Sequence, residues 1–459
     1  MSRRALRITL FALLIAAVVG WAAYSASTLL LFLAYLTTVL YTVWGLYHLL
    51  LSWMGTRPPL EPKVRPAYYP KISMIIPARN EPILARTIEA CLFNSDYPLT
   101  QKEVIVVTDD PAGERIGFWY QQRYPDNVKL LARTRFYPTK PSALNDALTL
   151  CTGEIVAVMD VEDILDRDVF LKAAAAITQY GYTAVQAILR ISNFEDNWLT
   201  KVFAMEYAGW FRIWLNARYQ IGAYAPLGGT GNYFRKSVLG TVGAWDPLNL
   251  AEDAEVGIRL GIAGWRVAVI NARHWEEAPV TFHAWLRQRT RWFRGWMQSF
   301  WKYLSYLFTP TAVRRLGMKP LLTVLLMLIT PFIVVFNWVA YGLTALWFLE
   351  SSGILQIHLL PLSFPFWALI PLTFNLLYYY TWLQGSAIEG IGSKRMLLRY
   401  VPHMFFYCNI MMPLAGIRAF LQDVFTDVQW EKTAHAGRGV KWAVENEPVQ
   451  LIPKSLANN

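Results

Sequence analysis

From Ile8 to Thr56 the chain contains no Lys, Arg, Asp or Glu. At about 1.5 Å per helical residue, that run is long enough to cross a hydrocarbon core of about 30 Å twice. It divides at the small residues Ser25–Ser27, which predicts one span at 8–24, a short turn, and a second span at 28–52. SRRALR ahead of an apolar run also fits a secretory signal, but the second run begins almost at once and serves as its hairpin partner. Arg3, Arg4 and Arg7 place the N-terminus in the cytoplasm by the positive-inside rule, and the hairpin returns the chain there at Arg57. Only 16% of residues are charged and mean hydropathy is +0.27. A soluble chain carries ~25% charged residues, so a membrane class is favoured. The net charge of +11 suits anionic lipid heads, nucleic acid or a phosphorylated substrate. Cys91, Cys151 and Cys408 show neither metal spacing nor a disulfide framework, which points to a reducing compartment.

After this N-terminal unit (1–56) comes a proline-rich linker, RPPLEPKVRPAYYP (57–70). From Lys71 the pattern becomes that of an α/β domain. The short β-rich runs ISMIIPA, EVIVVTDD, VKLLAR, EIVAVMD, TAVQAI and WRVAVI alternate with helical stretches, predicting a mostly parallel sheet over 71–279. A segment of interfacial helices is expected at 280–318, followed by two spans, 320–349 and 359–383, within 319–383. Lys394, Arg395 and Arg399 form a basic loop within 384–421. VPHMFFYCNIMMPLAGIRAFL (401–421) is long enough to span, but His403, Asn409, Pro413 and Arg418 favour a helix lying in the interface and hence a cytoplasmic tail, 422–459.

Acidic residues gather at the ends of the predicted strands: Asp109 and Asp110 in TDD, and Asp160, Glu162 and Asp163 in DVED. Open α/β sheets bind ligands at the carboxyl ends of their strands. Clustered carboxylates there repel unless a cation lies between them, and Mg²⁺ or Mn²⁺ prefers oxygen ligands shared with phosphates. Asp160 and Glu162 project to one side of an extended segment. Solvated acidic loops are the plain alternative. Glu252, Asp253 and Glu255 begin a helix, where acids suit the dipole and where one is placed to act as a general base. KPSALNDAL offers Lys140 to a phosphate and Asn145 for polar contacts. LGGTGNYFR, containing Gly229, permits close backbone approach but is no P-loop, since no GK[ST] follows.

In order along the chain, IIPARNE, TDD, KPSALN, DVED, GGTGN, AEDAEVGIRL and QRTRW resemble the motif series of processive family-2 glycosyltransferases, the group of cellulose, hyaluronan and exopolysaccharide synthases. The resemblance runs from Ile72 to about Thr433 and is nearest to a bacterial exopolysaccharide-synthase branch. It implies a GT-A (Rossmann-like) α/β domain, cytoplasmic and embedded between transmembrane helices, acting as a hexosyltransferase on a UDP- or GDP-sugar with Mg²⁺ or Mn²⁺. Pro77, Arg79 and Glu81 would join Asp109, Asp110, Lys140, Asn145, Asp160 and Gly229 at the donor. Asp160 and Glu162 match the metal motif, with the choice between Glu162 and Asp163 open. AED makes Asp253 the candidate base. TDDPAG departs from the commoner DDGS.

The resemblance places Gln288, Arg291 and Trp292 (QxxRW) on an interfacial helix beside the diphosphate and acceptor. A fixed arginine stabilises departing diphosphate, and tryptophan gives a sugar ring a flat platform. Arg287, Arg289, Arg294, Trp285 and Trp296 are expected to seat that helix among membrane lipids. WEKTAH (430–435) is similar to a gating-loop segment. Trp338, Trp347, Trp367 and Trp382 either line a sugar path or anchor spans. The expected product is a growing glycan, translocated by the same chain at a bacterial inner membrane. The alternatives are a single transfer to a lipid, or a transporter with a dead enzyme domain, which the full set of catalytic positions opposes. A nucleic-acid partner is not expected between a catalytic domain and a span.

Overall fold

The computed structural model describes residues 3–63, 66, 68–134, 139–356 and 366–427. WEKTAH lies outside the described residues, as does the side chain of Trp367. Helix α1 (Arg3–Met54) is broken at Ser25, whose backbone is extended (φ −160°, ψ 100°). Trp21 Nε1 donates to Thr28 Oγ1 at 3.0 Å and the Trp21 and Phe32 rings lie 5.1 Å apart. A straight helix would separate those two residues by about 16 Å, so the chain reverses at Ser25.

Eight strands form one sheet in the order β3-β2-β1-β4-β7-β6-β8-β5. They are β1 Ile72–Ala78, β2 Lys102–Thr108, β3 Val128–Ala132, β4 Ile155–Val158, β5 Ile164–Leu165, β6 Ala184–Ile191, β7 Asn232–Arg235 and β8 Val267–Glu276. The first four in the sheet are parallel, as is β6 with β8. The expected mostly parallel sheet is therefore mixed. Strand β7, read in the sequence as the end of a glycine-rich turn, inserts antiparallel between β4 and β6, and β5 runs antiparallel to β8.

Alternate side chains of the central strands enter two opposite cores. Ile72, Met74, Ile76, Val104 and Val106 pack with α2 (Leu84–Phe93), α3 (Pro111–Arg123) and α5 (Val169–Thr178). Ile75, Ile105, Val107, Val156 and Val158 pack with α4 (Lys140–Leu148), α8 (Lys236–Thr241) and α9 (Glu252–Ile262). Burial on both faces explains why these strands read as unbroken apolar runs rather than alternating ones.

A third core joins this domain to the apolar helices. Helix α6 (Trp198–Tyr207) continues through a π-helical turn (Ala208–Leu215) into α7 (Asn216–Gln220). Beyond the sheet follow α10 (Phe282–Leu307), α11 (Pro310–Leu316), α12 (Met318–Leu328), α13 (Thr330–Ser351), α14 (Phe366–Ile388), α15 (Lys394–Leu397), α16 (Val401–Phe406) and α17 (Met412–Phe425). The single span expected over 320–349 is two helices. Pro331 lacks an N–H and its ring opposes a carbonyl one turn back, so the ladder stops at Ile329. Helix α12 then packs Val324, Met327 and Leu328 against Tyr303 and Leu307 of α10.

Ala5–Met54, Thr330–Ser351 and Arg395–Phe425 are each long and apolar enough to cross a membrane, by length and composition. The 401–421 segment thus belongs to a longer helical stretch, with a π-helical turn at Tyr407–Met411. Its far end meets the first arm of α1, where Arg7 pairs with Asp423 at 3.0 Å and Phe11 packs on Phe420 and Phe425. The second arm faces α13 and α14, with Tyr41 donating to Ile333 O (2.8 Å) and Trp44 stacked on Tyr378. Glu389, just past α14, is buried among Arg190, Arg212 and Arg273 at 3.7, 3.6 and 3.2 Å. That carboxylate ties α14 to the sheet domain.

Candidate active site

A cavity of about 400 Å³ opens over the carboxyl ends of β1, β2 and β4 and continues between α1, α13 and α14. Pro77, Arg79, Glu81, Asp109, Lys140, Asp160, Glu162, Gly229, Asp253, Gln288, Arg291 and Trp292 all line it. The structure therefore gathers twelve of the residues selected from sequence. It does not gather Asp110, Asn145 or Asp163.

Each of those three has a local task instead. Asp110 caps α3, accepting from Gly113 N, Asn80 N and Thr108 Oγ1, each at 2.8 Å. Burial raises its pKa, but those hydrogen bonds outweigh it and hold the carboxylate below its ordinary range. Asn145 clamps the loop after α8 through Trp245 O (2.7 Å) and Trp245 N (3.0 Å). Asp163 is 1% exposed, accepting from Asp160 N at 2.9 Å and from the Thr230 hydroxyl, with His274 Nδ1 at 3.6 Å. It braces the backbone behind Asp160, so Glu162 is the cavity-facing partner of Asp160.

Gly229 sits where the charged groups converge. A Cβ added there would lie 3.5 Å from Asp253 Oδ2, 3.5 Å from Lys140 Nζ and 4.0 Å from Asp160 Oδ2. Lys140 Nζ donates to Asp160 Oδ1 and to Gly229 O (2.8 Å). Burial pulls Lys140 down, but Asp160, Glu252 and Asp253 outweigh it and keep the ammonium above its ordinary range. Burial lifts Asp253 above the usual Asp range, against the pull of the Ala254 amide, Lys140 and Arg291. Glu252 beside it is pushed up to about 7, by burial and then by Asp253. Glu255 faces away, held by Arg259 (2.7 Å), Lys302 (2.7 Å) and the Tyr303 hydroxyl.

Helix α10 is pressed against the AED turn. A Cβ on Gly295 would fall 2.4 Å from Ala251 N, so only glycine allows this crossing. Leu250 N donates to Gln298 Oε1 (3.1 Å) and Asn249 to Ser299 Oγ (3.0 Å), fixing the register that brings Arg291 to Asp253. The lipid-seating role expected for the neighbouring residues fails for three of them. Arg289 is buried, bonded through both terminal nitrogens to Glu206 (2.7 Å each) and lying 4.6 Å over the Trp292 ring. Arg294 is buried and donates to Thr426 O (2.8 Å), capping α17. Trp285 is fully buried and donates to Tyr407 OH at 2.8 Å. Trp296 is half-buried, lines the cavity and meets Trp210 edge-on. Arg287 alone of the group is exposed.

Sequence reasoning missed the bundle end of the cavity. Tyr41, Trp44, Trp214, Asn337, Asn375 and Tyr378 line it together with Trp382, for which the sequence left open a sugar path or a span anchor. Trp338 instead donates to Asn409 O (2.8 Å), and Trp347 packs near Ala34 and Leu343. Glu206, Tyr207 and Glu276 were also missed. The π-helical turn that swings Trp210 and Trp214 into the cavity leaves no sequence signature, whereas RHWEEAP at a strand end is a carboxylate placed like TDD. Among the described residues, no three His, Cys, Asp or Glu stand close enough to hold a metal by themselves.

A mixed α/β sheet with carboxylates and a lysine converging at its strand ends, roofed by an arginine–tryptophan helix, defines a glycosyltransferase. Residues 70–295 match the family described as "Glycosyltransferase like family 2", and this part of the chain is a family-2 glycosyltransferase domain. The chain is 29% identical over 252 residues to a probable glycosyltransferase of Bacillus subtilis, covering 52% of this chain and 58% of the relative. It is 25% identical over 382 residues to a beta-monoglucosyldiacylglycerol synthase of Synechocystis, covering 80% and 75%. It is also 24% identical over 240 residues to a poly-beta-1,6-N-acetyl-D-glucosamine synthase of Staphylococcus epidermidis, covering 51% and 57%. The first and third alignments thus span little more than half of those relatives. Among solved structures, a Pyrobaculum calidifontis mannosyltransferase in complex with GDP-Man and Mn²⁺ shares the GT-A-like fold (TM-score 0.55, 21% identity, 86% of this chain and 99% of that one).

Proposed function

We propose that the protein is a membrane-embedded, inverting glycosyltransferase that moves a sugar from a nucleotide-sugar to a growing glycan and passes the product into its apolar helices. The observation that carries this reading is the continuity of the cavity from the Asp160–Lys140–Asp253 cluster to the aromatic and amide side chains among α1, α13 and α14. Aromatic faces with Asn337 and Asn375 offer stacking surfaces and hydrogen bonds, the chemistry of sugar rings rather than of acyl chains.

In this reading Arg79 and Asp109, paired at 3.3 Å, flank the nucleotide. Lys140 and Arg291 supply positive charge to the departing diphosphate. Asp253 takes the proton of the attacking hydroxyl, and attack opposite the leaving group inverts the anomeric centre. Asp160 and Glu162 fit a Mg²⁺ or Mn²⁺ ion, which typically needs only one or two protein carboxylates besides phosphate oxygens. Such an ion, when bound, neutralises the leaving diphosphate. Trp292, braced by Arg289, is the platform for the acceptor.

The apolar stretches Ala5–Met54 and Thr330–Ser351 support embedding in a bilayer, with the sheet domain at the cytoplasmic face of a bacterial inner membrane. The stretch around α16 and α17 runs along α10, with Trp285 on Tyr407 and Arg294 at Thr426. Its start meets Trp198 of the sheet domain and its end meets Arg7, which supports a helix in the interface. A second reading, single transfer to a membrane lipid, is favoured by the 80% coverage of the chain by a diacylglycerol-glucosylating relative. Product size separates the two: membranes given nucleotide sugars and Mn²⁺ should yield a polymer, and a one-sugar lipid would replace the first reading with the second.

A further inference from the structure

Glu276, at the carboxyl end of β8, lines the same cavity as Asp160, Glu162 and Trp292. Its backbone is fixed, since its carbonyl accepts from Ser192 N (2.8 Å) and Ser192 Oγ (3.0 Å). Its Oε2 accepts from the Tyr207 hydroxyl at 3.2 Å. Tyr207 in turn packs 6.3 Å from the Trp292 ring and stacks on Phe203. Five other cavity-lining carboxylates have visible work. Asp160 holds Lys140, Glu206 holds Arg289, Asp109 holds Arg79, and Asp253 and Glu252 face Lys140 and Arg291. Among the described residues no Lys or Arg pairs with Glu276. A part-buried carboxyl group beside an aromatic platform needs hydrogen-bonding partners, and vicinal sugar hydroxyls on that platform would supply them.

We propose that Glu276, oriented by Tyr207, binds the hydroxyl groups of the sugar that sits on Trp292, and so determines which glycan end the enzyme extends. This rests on the reading of Trp292 as acceptor platform. The test is binding by the full-length purified protein, measured calorimetrically with β-linked tetrasaccharides of glucose, mannose and N-acetylglucosamine. UDP and GDP with Mn²⁺ are titrated in parallel as a control for folding and donor binding. Glu276→Ala should weaken the tetrasaccharide that binds wild type by about tenfold, the scale of one or two hydrogen bonds from sugar hydroxyls. Nucleotide affinity should stay unchanged. Glu276→Gln, which keeps one acceptor, should lose less, and Tyr207→Phe should shift affinity in the same direction. Unchanged tetrasaccharide affinity in Glu276→Ala overturns the proposal. So does loss of Mn²⁺-dependent nucleotide binding, which would place the carboxylate at the metal, and so does a wild type that binds none of the panel. Trp292→Ala is read separately. If it keeps tetrasaccharide affinity while Glu276→Ala loses it, the platform reading fails and the role of Glu276 stands.

Discussion

The two ends of the cavity are built differently. The donor end is charged and compact: Asp109, Lys140, Asp160, Glu162 and Asp253 come from strand ends and helix starts of one sheet. Among the described residues the bundle end is lined by no Asp, Glu, Lys or Arg, and it draws Tyr41, Trp214, Asn337 and Tyr378 from four separate segments. Charge stabilisation and proton transfer need few groups in fixed positions, which a parallel sheet supplies at its edge. Holding a sugar needs flat surfaces and neutral hydrogen bonds, which packed helices supply only through long-range contacts. Arg289 stands at the junction, bonded to Glu206 of α6 and Tyr407 of the last helical stretch while bracing Trp292.

Changes at the donor end should act on chemistry. Asp253→Asn should lower the transfer rate by about 10²–10⁴, the usual contribution of a general base, with nucleotide-sugar affinity retained. Turnover left intact would remove Asp253 from that role. Arg291→Ala should cost about 10²–10³ in kcat, the scale of one lost oxyanion donor. At the junction the effect should pass to stability. Arg289→Ala leaves part-buried Glu206 without its cation and should destabilise the protein by about 2–3 kcal/mol, read from denaturation in detergent. A pH series sharpens the contrast. Asp253 accepts a proton only when ionised and burial raises its pKa, so kcat/KM should climb with pH through a range above that of an ordinary aspartate. A profile flat down to pH 4 would contradict this, since an ordinary aspartate titrates near 3.9. The smallest effect is expected from exposed Arg287→Ala, within about 0.5 kcal/mol and with transfer unchanged.

The same contrast explains what was legible in the sequence. The donor end is local text: ISMIIPA, TDD, KPSALN and AED each carry a strand or helix end together with its functional group. Here the errors were of orientation. Asp110 and Asp163 stand next to cavity residues, yet their neighbours' backbone amides and hydroxyls turn them inward. The junction and the bundle end were hidden because they depend on contacts far apart in the chain, such as Glu206 with Arg289 and Tyr407 with Trp285. Periodicity saw arginines 287, 289, 291 and 294 as one basic cluster, and only packing separates exposed Arg287 from buried Arg289 and Arg294. The break at Pro331 was visible as a residue but not as a helix boundary, because membrane helices often accommodate proline.

The most direct test is to incubate membranes containing the full-length protein with a panel of UDP- and GDP-sugars and Mg²⁺ or Mn²⁺, measuring nucleotide release together with product size. One donor should release nucleotide in step with a glycan of many units, and both signals should vanish in Asp253→Asn. Nucleotide release with only a one-sugar lipid, or release that survives Asp253→Asn, would contradict the account.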